Sequence, residues 1–264
     1  MQVEWGREDR VKIESIPLLR DNYAWLLYNE GSPDCAVVDP SEGAPVLALL
    51  KERGLRLRAV LATHHHYDHV DGIVELVKGY GDVQVYCSEY DMKAGRVPEA
   101  SRAFGDGDEF ELLGYRVCCM LVPGHTLGAL AYHLPEVNAV FTGDTLFTAG
   151  CGRLFEGTPA QMYDSLSRLG KLPGETQVYC GHEYTENNLR FAASVEGDNP
   201  RVLERLEEVV ALRAAGRPTV PASMTVECST NPFMRADDPA LWELMGKASP
   251  VETFGELRRR KDLF

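Results

Sequence analysis

Thr63-His64-His65-His66-Tyr67-Asp68-His69 decides how this chain is read. The seven residues follow a short apolar run at 59–62 that suits a strand, and they precede 70–80, whose apolar spacing suits a helix. A loop between a strand and a helix presents functional groups on rigid supports. Side chains two apart in extended backbone face the same way, so His64 and His66 can converge on one ion. Asp68 and His69, at the turn into the helix, point toward a second. Imidazole and carboxylate suit zinc, iron or manganese alike. Asp68 could instead cap the helix behind exposed histidines. Four metal-competent groups in six residues outweigh that alternative.

Working outward, three more positions complete two coordination spheres. His125 follows the strand 115–121 in Val122-Pro123-Gly124-His125-Thr126. Asp144 follows 139–141 in Phe141-Thr142-Gly143-Asp144-Thr145, and His182 follows 176–180 in Tyr179-Cys180-Gly181-His182-Glu183. Each lies just past a strand end, beside small or turn residues, so one sheet edge can receive them all. Singly, a histidine here is a surface or core residue and an aspartate after glycine is a turn. Together with the first motif they specify a two-metal centre of His64, His66, Asp68, His69, His125, Asp144 and His182. Of the seven histidines only two are left over: His65, without a role, and His133, mid-strand and structural.

The remaining chain divides near residue 183. Before it, strands at 11–17, 22–28, 35–38, 59–62, 83–86, 115–121, 129–134, 139–141 and 176–180 alternate with helices at 43–53, 70–80 and 159–169. Beyond Gly181 no strand is expected, only helices at 186–195, 201–215, 239–247 and 251–261. The expected organisation is an α/β catalytic domain over 1–182 and a helical substrate-binding domain over 183–264. With 264 residues and 44% hydrophobic content, the chain can bury cores of that size.

Charge and cysteine usage exclude several classes. A net charge of −13 repels nucleic acid and anionic membrane surfaces at long range. No window approaches the run of about 20 apolar residues that spans a bilayer. The mixed-charge residues 1–10 do not read as a secretory signal. Seven scattered cysteines without a Cys-x-x-Cys pair argue against a disulfide framework and a thiolate zinc site, so a cytoplasmic protein is expected. Cys151, flanked by glycines, lacks a positioned base and reads as structural.

The strand-end pattern of Asp39, T-H-x-H-x-D-H, His125, Asp144 and His182 resembles the metallo-β-lactamase superfamily. More narrowly, nearly the whole chain resembles the glyoxalase II, or hydroxyacylglutathione hydrolase, family. The segments that carry this are R-D-N-Y-A-W (20–25), V-D-P (38–40), T-G-D-T-L-F-T-A-G-C-G-R (142–153), Y-C-G-H-E-Y-T (179–185), N-P-F-M-R (231–235) and R-R-R-K-D (258–262). The resemblance implies an α/β fold of the metallo-β-lactamase type, an αββα sandwich followed by a smaller all-α C-terminal domain. It implies a first metal on His64, His66 and His125 and a second on Asp68, His69 and His182, with Asp144 bridging. Asp68 and Asp144 are its catalytic carboxylates, and Asp39 orients a metal-bound histidine from behind. It places glutathione on Arg153, Tyr184, Arg258 and Lys261. The chain departs from the family where relatives often carry Tyr and it has Phe155, and at Leu127-Gly128-Ala129, which lacks a frequent polar residue.

The implied activity is hydrolysis of an S-2-hydroxyacylglutathione by a monomer with two divalent ions, zinc foremost, iron or manganese suiting the ligands too. Bound divalent ions lower the pKa of water from about 15.7 to roughly 7. The leaving thiolate, whose acid has a pKa of about 8.5, needs no dedicated general acid. An anionic substrate on an acidic chain needs a local basic patch, and Arg258-Arg259-Arg260-Lys261 is the candidate. Arg258 and Lys261, three apart on a helix, share a face and should grip one anion together. A solvated, dipole-favoured helix end is the plainer alternative. A glutathione persulfide dioxygenase-like mononuclear iron enzyme is the main competing activity, disfavoured by N-P-F-M-R and R-R-R-K-D.

Overall fold

The computed structural model describes residues 11–264; the expectation that 1–10 is not a secretory signal falls outside the described residues. Two six-stranded sheets face each other. The first runs β1 (Val11–Leu18), β2 (Asn22–Asn29), β3 (Asp34–Val38), β4 (Arg56–Leu61), β5 (Gln84–Ser88), β6 (Arg102–Phe104). The second runs β14 (Ala222–Ser223), β13 (Gln177–Cys180), β10 (Ala139–Gly143), β9 (Leu130–Leu134), β8 (Tyr115–Leu121), β7 (Glu109–Leu112). A small hairpin, β11 (Leu146–Phe147) and β12 (Gly150–Cys151), leaves the end of β10.

Period-two alternation explains the layering. In β2, Tyr23, Trp25 and Leu27 point into the core between the sheets with Tyr115, Val117, Tyr132 and Phe141 of the second sheet. Ala24 and Leu26 point the other way, onto Val46 and Leu50 of α1 (Gly43–Glu52) and Ile73 and Leu76 of α3 (Ile73–Tyr80). The outer face of the second sheet, through Ala131, Val140 and Val178, packs on Met162 and Leu166 of α5 (Pro159–Leu169) and on Phe254 and Leu257 of α10 (Pro250–Leu263). This is the αββα sandwich. Thr158 and Gln161 close a capping box at the start of α5, ahead of Pro159. Beyond residue 183, α6 (Thr185–Val195) and α7 (Pro200–Ala214) pack on each other through Leu189, Ala192, Val202 and Val209. The short α8 (Met224–Thr230) and α9 (Pro239–Met245) precede α10.

Strand direction explains where the site must lie. β3 to β6 are parallel. β10 is parallel to β13, and two antiparallel pairings through β9 give β8 the same direction. The ends of β4, β8, β10 and β13 deliver the loops that begin at residues 62, 122, 144 and 181.

Several expected elements differ. The helix expected over 70–80 is two: α2 (Tyr67–Val70) and α3, broken at Asp71-Gly72. The Gly72 N–H donates to Pro40 O at 3.0 Å, and a Cβ there would lie 2.6 Å from that carbonyl, so the chain turns where the backbones touch. Beyond Gly181 a strand does exist. β14 pairs antiparallel with β13 through Gln177↔Ser223 and Val178↔Ala222. Two residues are too few to show an alternation. The three-residue β6, the four-residue β7 and the single turn of α4 (Glu89–Lys93) escape notice for the same reason. α8, Met-Thr-Val-Glu-Cys-Ser-Thr, has five poor helix formers among its seven residues and rests on its Ser223 cap. Among the described residues, no helix is long and apolar enough to cross a membrane.

Candidate metal centre

The loops at these strand ends bring the predicted ligands into two trios. Potential ligand atoms of His64, His66 and His125 lie within 4.8 Å of one another, and so do those of Asp68, His69 and His182. Asp144 stands between them. Its Oδ2 is 3.4 Å from Nε2 of both His125 and His182, and its Oδ1 is 3.3 Å from Nε2 of His69. Two glycines allow this crowding. A Cβ on Gly181 would sit 2.6 Å from Asp144 Oδ1 and from His69 Cε1. Gly143 has φ +49°, and its Cβ would meet Thr63 Oγ1 at 2.2 Å.

Outer hydrogen bonds determine which ring nitrogen faces inward. Asp39, just past the end of β3, accepts from Thr63 N (2.8 Å), Thr63 Oγ1 (2.6 Å) and His69 Nδ1 (3.0 Å). Thr63 spends its hydroxyl proton on Asp39, so its oxygen accepts from His64 Nδ1 at 3.1 Å. His125 Nδ1 donates to Arg153 O at 2.8 Å, and His182 Nδ1 to Asp21 Oδ1 at 2.9 Å. Each of these four rings therefore keeps a proton on Nδ1 and points Nε2 inward, so Nε2 is the nitrogen a metal would take. His125 Nε2 lies 2.9 Å from His66 Nδ1.

Divalent metal ions fit this arrangement. His64 Nε2 is buried with no hydrogen-bond partner, and His69 Nε2 and Asp144 Oδ1 have only each other at 3.3 Å, an expensive state unless a cation occupies the space. The electrostatics agree. Burial opposes charge on His69 and His182, but Asp144 and its neighbouring carboxylates outweigh it and raise them to about 10 and about 11. Burial likewise opposes charge on Asp144, yet His69 and His182 hold it well below the usual carboxylate range. Asp68, also against its burial, is drawn down to about 2, chiefly by His182 and His69. By contrast, burial and neighbouring imidazoles push His64 well down, His66 to about 4 and His125 downward. The second trio attracts positive charge; the first offers neutral imidazoles.

The centre forms the floor of a cavity of about 610 Å³ that Arg153, Tyr184, Arg258 and Lys261 also line. The Tyr184 ring stacks on His182 at 4.6 Å and 5°. Lys261 Nζ donates to Asn187 O at 3.1 Å, and burial with the neighbouring Arg258 lowers it to about 8. Arg258 is buried and has other duties, donating to Cys151 O at 2.7 Å and pairing with Asp262 at 3.0 Å. Arg259 and Arg260 do not join a basic patch, because both pair with Glu256. Cys151 is buried, and burial raises its thiol to about 11. Phe155, two-thirds exposed, sets its ring edge-on to His66 and His125.

Sequence reasoning left three neighbours without roles. His65 Nδ1 meets the buried Asp91 at 3.1 Å, and Arg96 ties Asp91 to Glu156, whose Oε2 accepts from Leu127 N. Asp21 and Asn22 touch His182 and Asp68. Their partners lie far along the chain, so no local spacing signals them. The R-D-N segment marked only a resemblance.

Two family profiles match this chain. Residues 19–182 match the metallo-beta-lactamase superfamily profile, and residues 183–264 match the profile described as hydroxyacylglutathione hydrolase C-terminus. A "Hydroxyacylglutathione hydrolase" of Synechococcus sp. (strain JA-3-3Ab) is 48% identical over 254 residues, covering 96% of this chain and 100% of the relative. Another, of Roseobacter denitrificans, is 46% identical over 256 residues, covering 96% and 99%. Among solved structures, the BLEG-1 B3 metallo-beta-lactamase superposes with a TM-score of 0.66 at 20% identity, over 84% of this chain and 99% of that one. At that identity the likeness speaks for the fold alone.

Proposed function

This chain belongs to the hydroxyacylglutathione hydrolase family of the metallo-β-lactamase superfamily, and from that membership and the geometry of the centre we propose that it hydrolyses S-2-hydroxyacylglutathione thioesters to glutathione and a 2-hydroxy acid. The observation that carries the reading is one cavity whose floor carries members of both trios, His66 and His125 of the first and Asp68 and His182 of the second, with Asp144, and whose wall holds Arg258 and Lys261. His64, His66 and His125 would hold one ion, Asp68, His69 and His182 another, and Asp144 would span both, with zinc the first choice. When bound, such ions bring water toward ionisation near neutral pH and polarise a carbonyl.

The chain's own residues do the rest. Asp39, Thr63, Asp21 and the Arg153 carbonyl keep four imidazoles in the one tautomer that can coordinate. Arg153, Arg258 and Lys261 bring positive charge to one cavity of an acidic protein, where an anionic tripeptide can dock. Tyr184, whose hydroxyl burial and nearby carboxylates push upward, stays protonated as a donor at the cavity wall. Phe155 offers a ring face and no hydroxyl. The departing thiolate is stable enough to leave without a general acid, and no buried thiol in the cavity competes as a nucleophile at neutral pH, since Cys151 holds its proton. All seven cysteines are free, five of them buried, which suits a reducing compartment, and we place the protein in the cytoplasm.

The test is substrate class. Purified protein given S-D-lactoylglutathione should release thiol much faster than it opens β-lactams or cleaves phosphodiesters, and should consume no oxygen with glutathione persulfide. Oxygen uptake without thioester cleavage would favour a mononuclear iron oxidoreductase instead.

A further inference from the structure

The two trios share Asp39, which holds His69 directly and His64 through Thr63, but draw their other outer partners from different parts of the chain. In the first, His125 is held by the Arg153 carbonyl and His64 by Thr63. In the second, His69 leans on Asp39, while the other two members both depend on the turn between β1 and β2. Asp21 Oδ1 accepts from His182 Nδ1, which aims His182 Nε2 at Oδ2 of both Asp68 and Asp144, each 3.4 Å away. The neighbouring Asn22 Nδ2 donates to Asp68 O at 2.9 Å and to Asp68 Oδ2 at 3.2 Å. That amide therefore fixes both the backbone and the carboxylate of one ligand, while Asp21 fixes the other.

The turn is itself held firmly. Leu19, at φ +49°, donates its N–H to Glu42 Oε2 at 2.8 Å. Tyr23 N donates to Gly181 O (2.8 Å) and Glu183 N to Asp21 O (2.9 Å), so Asn22 and His182 face each other across an antiparallel bridge. Trp25 Nε1 adds a bond to Cys180 O at 3.0 Å. A turn of the first sheet is thus stapled to the end of β13 in the second. None of the bonds that Asp21 and Asn22 make reaches His64, His66 or His125.

We propose that Asp21 and Asn22 are positioning residues for the second trio, acting through His182 and Asp68, so that occupancy of that half-site, and not of the first, depends on the β1–β2 turn. The inference rests on the two-metal reading above. Hydrogen-bond partners behind metal ligands commonly carry about 10–100-fold in metal affinity.

Chelated parent, Asp21→Ala and Asn22→Leu proteins would be titrated with zinc against a chromophoric chelator, alongside far-UV circular dichroism. Asp21 is partly exposed, so Asp21→Ala should leave the fold intact. Each variant should keep one binding step at parental affinity and weaken the other about 10–100-fold, falling toward one ion per chain as purified. Asp21→Asn, whose amide oxygen can still accept from Nδ1, should recover much of the loss. Variants that bind two ions with parental affinities, or that lose both steps together, would overturn the proposal. A parent protein that never binds a second ion would instead strike the two-metal reading itself.

Discussion

Lys261 lines the cavity beside Arg258, and its charge would set how the proposed anionic substrate is met. Its ammonium is lowered to about 8 because burial and Arg258 disfavour the charged form. As pH rises through that value the free enzyme loses a positive group from the cavity, so KM should climb while kcat holds. Lys261→Ala should start about tenfold higher in KM, for one charge-assisted contact, and lose that pH dependence; KM–pH profiles of both proteins check it. Arg258 lines the same cavity but carries a structural bond besides. Removing its buried guanidinium strands the Cys151 carbonyl, so Arg258→Ala should lower stability by about 1–3 kcal/mol as well as raise KM. Thermal melts beside kinetics separate the two effects, and an unchanged melt would leave Arg258 with binding alone. The seven proposed ligands could be picked out because histidine is rare in this chain and their spacing is local or strand-terminal. Asp39 was legible only through family resemblance. Asp21, Asn22 and His65 were not, because their meaning lies in contacts to β13, α2 and α4 that the spacing cannot express.

At the level of elements, the site is a product of parallel strands ending together. That places unusual demands on the residue just before each ligand. Gly181 precedes His182 so closely beneath Asp144 and His69 that any Cβ would overlap both. Gly181→Ala should therefore fold, since β13 keeps its pairings, but bind little metal at either half-site; elemental analysis with circular dichroism would show it. Full metal content would mean that the strand end can yield. Long alternating strands such as β1 and β8, and helices with a clear apolar stripe such as α5, announced themselves in sequence. The break between α2 and α3 did not, because it comes from the backbone of Pro40 meeting Gly72. Nor did β14, whose identity as a strand comes only from β13 beside it.

For the whole molecule, a net charge of −13 and a cationic cavity wall are compatible because charge is arranged locally. The metal-free centre is a proton sink: His69 at about 10 and His182 at about 11 hold protons at neutral pH, since Asp144 and its neighbours overcome burial. Raised values mean that these protons are present at pH 7 and must leave when a metal arrives, so affinity should rise with pH. Adding zinc to chelated protein in weakly buffered indicator should release up to about two protons per chain; no release would mean the imidazoles were already neutral. The most direct test of the account is turnover and metal content measured on one sample. Protein from metal-replete medium should carry close to two divalent ions and hydrolyse S-D-lactoylglutathione, lose the activity with its metal on chelation, and regain both on reconstitution. Full thioester hydrolysis by the metal-free chain would contradict it.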